Sequence, residues 1–225
     1  MKDLGKGCDK MKEYKTLLKA GEAEIIIEKS RFIGYAAPVS SEEEAIEFIK
    51  TIKTKHKDAT HNVHAYVLGL NNEVQRYSDD GEPSGTAGIP MLEVLKKESI
   101  RNAVVVVTRY YGGIKLGAGG LVRAYTKGCK IGIDAANIVI KRGYQLIHLK
   151  IDYGFLGKLQ NEISHRDYQL KEMQYDEIVH FYLYVGLEAV EGFKKDVVEW
   201  TNGNCLLEEK EKLYLTDFNG KILLP

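Results

Sequence analysis

The alternation of apolar and polar residues changes period several times along the chain, and each change marks an element. Across residues 62–70, Val63, Ala65 and Val67 fall on one side and His64, Tyr66 and Leu68 on the other, the period of a strand. Residues 22–39 read as a hairpin, with Ile25-Ile26-Ile27 and Phe32-Ile33-Gly34-Tyr35 as its arms and Glu28-Lys29-Ser30-Arg31 between them. Ser41 followed by Glu44 is a capping box, opening a helix that carries Ala45, Ile49 and Ile52 on one face. Acidic residues begin that helix and Lys50 to Lys57 end it, the order its dipole favours. A polar stretch with three glycines follows, then a short helix over residues 91–97. The four valines within residues 103–108 predict a central strand buried on both faces. Ala118, Val122, Tyr125, Cys129, Gly132 and Ala136 then recur at helical spacing. The first 20 residues are Lys-rich and weakly patterned, a short helix or a frayed arm.

After Gly143 the pattern changes. Strands over 144–151, 168–174, 179–185 and 206–213 interleave with helices over 155–164 and 190–201. The order is β-α-β-β-α-β, that of a ferredoxin-like domain. The fold class expected is therefore α+β in two domains, residues 1–142 and 143–225, divided at Lys141-Arg142-Gly143. Trp200 and the aromatic residues near the C-terminus read as core.

Composition narrows the setting. A chain of 225 residues, 44% hydrophobic and 28% charged, is long enough to bury a full core and contains no repeat. No run approaches the roughly 18 apolar residues of a membrane span, and the N-terminus lacks a stretch of signal-peptide length. Cys8, Cys129 and Cys205 are odd in number and far apart, which points to a reducing cytoplasm, with Cys129 and Cys205 as buried thiols. The net charge of zero conceals an asymmetry: residues 1–142 carry 23 Lys and Arg against 18 Asp and Glu, a net +5, and the remainder carries −5.

Two Gly-rich motifs hold the candidate chemistry. The first is Tyr77-Ser78-Asp79-Asp80-Gly81-Glu82-Pro83-Ser84-Gly85-Thr86-Ala87-Gly88, turn chemistry in which Asp79, Asp80 and Glu82 are candidate ligands of Mg²⁺. Three carboxylates in a polar loop are also ordinary solvated residues, and Ser84 or Thr86 acts as a nucleophile only beside a base. The second runs Thr108-Arg109-Tyr110-Tyr111-Gly112-Gly113-Ile114-Lys115-Leu116-Gly117-Ala118-Gly119-Gly120-Leu121-Val122-Arg123-Ala124-Tyr125, between the buried strand and the long helix. Gly117, Gly119 and Gly120 at a helix start let backbone N–H groups approach an anion. Arg109 and Lys115 add mobile positive charge, and Arg123, Lys127 and Lys130 extend it along the helix face opposite the apolar stripe. A tight turn with a solvated basic face is the plainer alternative. The glycine spacing is neither a Walker loop nor a Rossmann fingerprint. His61 and His64 lie on opposite faces of their strand, a poor metal pair, with His64 the candidate to face the site.

Together these motifs resemble the IMPACT family, and within it the bacterial YigZ-type members that carry a second domain. The matching residues are Asp79 to Gly88, Val107 to Gly117, and Gly119-Gly120-Leu121-Val122-Arg123-Ala124-Tyr125. The resemblance implies an N-terminal domain like one shared by a small-subunit ribosomal protein and elongation factor G. It also implies a ferredoxin-like C-terminal domain similar to the last domain of elongation factor G. Eukaryotic members are regulators of translation that compete for a partner of a stress kinase.

The leading expectation is a non-enzymatic cytoplasmic protein that binds RNA, the ribosome or other translation machinery, with no membrane partner and no cofactor. Its binding residues would be Arg109, Tyr110, Tyr111, Lys115, Gly117, Gly119, Gly120, Arg123, Lys127 and Lys130, the two tyrosines stacking on unpaired bases. A second reading is a phosphate-handling enzyme or small-ligand binder, with Gly117–Gly120 around the phosphate and Asp79, Asp80 or Glu82 on Mg²⁺. A third is a protein–protein interaction module.

Overall fold

Four consecutive valines set the architecture of the first unit, because both faces of their strand need apolar cover. The computed structural model describes residues 11–166 and 168–224. The expectation for Cys8 falls outside them. The chain divides into two compact units, one of residues 14–140 and one of residues 141–224 with 11–13.

In the first unit, β1 (Tyr14–Leu17) precedes β2 (Gly21–Ile27), β3 (Ser30–Pro38), α1 (Glu42–Lys55), β4 (His61–Leu68) and β5 (Val74–Ser78). Then come α2 (Gly88–Lys97), β6 (Ala103–Tyr110) and α3 (Gly117–Ala136). The sheet order is β2-β3-β6-β4-β5, antiparallel throughout. Val105 and Val107 of the central β6 face a cluster with Val63, Met91, Tyr125 and Ile133, under α2 and α3. Val104 and Val106 face Ala45, Ile49 and Ile52 of α1. Helices on both sides bury this antiparallel strand as fully as a parallel one.

The sequence misplaced three features here. The segment expected as a short helix or frayed arm contains β1, whose Leu17 is buried and whose Lys15 accepts a bond from the Arg101 N–H. β5 was read as a polar stretch. The buried stripe of α3 is Leu121, Ala124, Tyr125, Gly128, Cys129, Gly132, Ile133 and Ala136, whereas Ala118 and Val122 are exposed. Cys129 is buried and its thiol is pushed up by that burial, while Cys205 is only half-buried.

The second unit continues without a loop at the expected boundary, because β7 (Ile138–Ile151) runs straight through Lys141, Arg142 and Gly143. A 3-10 turn (Tyr153–Phe155), α4 (Leu156–Ser164), β8 (Gln169–Tyr175), β9 (Val179–Gly186), α5 (Val190–Trp200), β10 (Cys205–Phe218) and β11 (Lys221–Leu223) follow. The sheet order β11-β10-β7-β9-β8 contains the split βαβ arrangement, with one added edge strand. Ile147, Leu149, Phe181, Leu183, Phe193 and Trp200 pack between this sheet and its helices. Among the described residues no helix is long and apolar enough to cross a membrane.

Candidate nucleic-acid interface

The two Gly-rich motifs meet at one end of the first unit's sheet, where β4 begins and β6 ends. The register sets His61 opposite Arg109, and Arg31 opposite Tyr110. The first motif is a turn held by its own acids. The Asp79 carboxylate accepts from the backbone N–H groups of Gly85 (2.8 Å), Ala87 (3.1 Å) and Gly88 (2.8 Å), and so caps α2, which has no side-chain cap at Ala87. Removing such a cap costs about 1–2 kcal/mol. Asp79→Ala should therefore lower the free energy of unfolding by that amount, read as a lower urea midpoint at an unchanged slope, and Asp79→Asn, which keeps an acceptor, should lose less.

Asp80 accepts from Lys53 Nζ and from the Asn62 N–H, both at 2.6 Å. Burial works to raise its pKa, but these two donors outweigh that and hold it below the usual carboxylate range. Glu82 is buried, and its Oε1 accepts from Arg109 Nη1 at 2.6 Å and from the Tyr125 hydroxyl at 2.7 Å. Burial, and then the bond to Glu82, raise the Tyr125 hydroxyl pKa. The three carboxylates thus serve three separate sets of protein donors. Among the described residues no group of three or more His, Cys, Asp or Glu is placed to hold a metal ion.

Arg109 is not the mobile cation the sequence suggested. It is 5% exposed, its Nη2 lies 3.5 Å from Ser30 Oγ, and its guanidinium sits over the Phe32 ring. Its Nε has no hydrogen-bond partner among the described residues. His61, rather than His64, faces this pair: His61 Nδ1 lies 2.8 Å from the Asp80 carbonyl, which can only accept, so that nitrogen carries the proton. His61 Nε2 then stands 3.7 Å from Glu82 Oε1. The His64 pKa is lowered, by burial first and by Lys53 next.

The neighbouring tyrosines diverge. The Tyr110 hydroxyl lies 2.9 Å from His56 Nδ1, and its ring packs against the α1-side core. Tyr111 is 46% exposed, and its N–H donates to Thr60 Oγ1. Only Tyr111 of the two presents a ring for stacking. Gly112 follows, so close to the β2–β3 turn that a Cβ there would lie 2.0 Å from the Lys29 carbonyl oxygen.

Past this turn the charge is free. Lys115, Arg123 and Lys127 take part in no ion pair or hydrogen bond among the described residues, and they rim a cavity of about 450 Å³. Arg123 and Lys127 are one turn apart on α3 and share a face. Gly120 lines the same cavity; Gly117 and Gly119 occupy the exposed first turn of α3, whose cap residue Leu116 offers no side-chain bond. Lys130 does not extend the row, because its Nζ is bound to Glu98 Oε1 at 2.7 Å. Ile27 and Glu28, from the hairpin turn, complete the cavity wall and were missed by the sequence. Nothing in a linear pattern sets a hairpin tip beside a helix 90 residues on.

Comparison with known proteins agrees with this organisation. The Impact N-terminal domain family matches residues 28–133, and a domain of unknown function, DUF1949, matches residues 149–204. The chain is 50% identical to the IMPACT family member YvyE of Bacillus subtilis over 90% of this chain and 93% of that one. It is 35% identical to an IMPACT family member of Haemophilus influenzae over 88% and 97% of the two chains. It is 38% identical to YigZ of Escherichia coli over 64% and 74%. A crystal structure of a hypothetical protein matches with a TM-score of 0.56 and 30% identity, over 89% of this chain and 98% of the other. With half of all aligned positions shared with one such relative across nine-tenths of its length, this chain belongs to the IMPACT family.

Proposed function

We propose that the first unit binds single-stranded RNA, free or within the ribosome, through Lys115, Arg123 and Lys127, as a non-enzymatic part of translational control. The observation that carries this reading is the contrast in pairing. Lys53, Lys55 and Lys130 each lie within 2.9 Å of a carboxylate oxygen, whereas these three cations form no ion pair among the described residues. Clustered cations without acidic partners attract a polyanion and release its counterions on binding. The exposed Tyr111 ring adds a stacking surface near the same turn. Regulation of translation by the family's eukaryotic members is consistent with such a partner.

Binding of a labelled single-stranded RNA, followed by anisotropy across a salt series, tests the proposal. Three neutralised phosphates give a log–log slope of about −2, and Arg123→Glu with Lys127→Glu should flatten it by about 1.4 while abolishing binding at physiological salt. Both side chains are exposed, so melting should change little. Lys158→Glu, exposed on α4, is the matched control and should bind as the parent does. A double variant that binds as well as the parent overturns the proposal, and so does binding that ignores salt.

A further inference from the structure

The cavity beside α3 is more than a basic surface. Apolar residues make up about half of its lining: Ile27 and Leu116 pack on the core cluster, and Ile114 and Ala124 line the same space. Its rim carries three cations, Lys115, Arg123 and Lys127, and one acid, Glu28. At about 450 Å³ it lies within the range of roughly 300–1,000 Å³ common to small-molecule sites. Glu28 is the informative member. It lines a cavity with three cations yet forms no ion pair or hydrogen bond among the described residues, so its carboxylate remains an open acceptor.

We infer that this cavity receives one unstacked guanine of a bound RNA strand, with Glu28 accepting its Watson–Crick edge. The inference rests on the RNA-binding reading above and names what that site selects. Bases splayed from single strands are read on their Watson–Crick edges. An ionised carboxylate only accepts, and its two oxygens take two parallel donors best. Guanine offers that pair in its ring N–H and adjacent amino group. Adenine and cytosine each offer a single amino group beside an acceptor, and uracil offers one N–H between two carbonyls. Around the base, Ile27, Ile114 and Leu116 replace the lost stacking neighbours. The rim cations meet the flanking phosphates, so the acid contacts the base while the cations hold the strand.

The experiment compares uridine octamers carrying one central guanosine, inosine, adenosine or cytidine, measured by anisotropy against the parent and Glu28→Gln. The parent should prefer the guanosine octamer about tenfold, the scale of one two-bond base contact. Inosine, which lacks the amino group, should lose most of that preference. Glu28→Gln should bind all octamers alike, at the affinity the parent shows for the adenosine one. Displacement by GMP tells whether the free nucleotide competes for the same cavity or the flanking phosphates are required. Equal affinity of the parent for every octamer overturns the inference and leaves RNA binding standing. A guanosine preference that survives Glu28→Gln also overturns it. Failure of the parent to bind any octamer removes the RNA-binding reading itself.

Discussion

Arg109→Met should lower the free energy of unfolding by about 3–5 kcal/mol, the cost of breaking a buried ion pair from one side. The guanidinium and the Glu82 carboxylate are 6% and 4% exposed and 2.6 Å apart. Without Arg109, the carboxylate keeps, among the described residues, the Tyr125 hydroxyl as its one close side-chain donor, because His61 Nε2 stands 3.7 Å away. A desolvated charge with half its partners gone dominates the loss. Replacing both members with apolar residues, Arg109→Met with Glu82→Leu, should recover most of it, since a well-packed apolar pair is often no less stable than the ion pair it replaces. Urea denaturation of the three proteins checks the cycle. A single variant that loses under about 1 kcal/mol would show that the pair does not clamp the two motifs together. The same variants separate stability from binding. Arg109 is buried and touches the proposed surface only through the Tyr111 ring, 5.4 Å from its guanidinium, so folded Arg109→Met should keep the salt slope of RNA binding, unlike the Arg123 and Lys127 reversal.

The contrast between Arg109 and Arg123 shows what the sequence can and cannot convey. Both were legible as positive charge in a Gly-rich motif, and the α+β class followed from changes of hydrophobic period. Burial of Arg109 depends on Glu82, 27 residues earlier and in the other motif, and no local pattern announces that pairing. Lys130 was placed in the basic row for the same reason, since Glu98 lies on the far side of β6 in the sequence. The strand over His61–Leu68 was plain because both of its faces are lined with apolar residues. β5 was not, because an edge strand with Gln75 and Arg76 exposed has little alternation to read. The expected stripe of α3 fails in its first two turns, where Ala118 and Val122 are exposed and Leu121 and Ala124 are buried instead. Tyr125, Cys129, Gly132 and Ala136 lie on the contact face as the spacing indicated, but that face also includes Gly128, which carries no hydrophobic signal although it marks the closest approach to the sheet.

That approach predicts a second large effect, in Gly34→Ala. Gly34 lies on β3 opposite Val107, beneath the glycines of α3. A Cβ on Gly34 would stand 2.0 Å from the Gly128 carbonyl oxygen and 3.1 Å from the Gly132 nitrogen. The fit is mutual: a Cβ on Gly132 would come within 2.9 Å of the Gly34 carbonyl carbon. Both obstacles are backbone, so no side chain can turn aside, and the helix as a whole must lift from the sheet. Lifting it opens the contact around Tyr125, Cys129 and Ile133, all fully buried. Overpacking of this kind costs about 1–3 kcal/mol and more when relief is blocked. Gly34→Ala should therefore lose about 3 kcal/mol, a fall of roughly 6–12 °C in Tm for a protein of this size. Gly192→Ala is the control, since a Cβ in the first turn of α5 meets nothing within 4 Å. It should gain up to about 0.5–1 kcal/mol, the helix-interior propensity difference being an upper bound in a first turn. Calorimetry of the two variants decides the matter. If Gly34→Ala melts with the parent, the helix has room to move, and the glycines of α3 are there for some reason other than contact. If it melts early, those glycines fix the height of α3 above the sheet, and with it the position at which Arg123 and Lys127 meet the cavity.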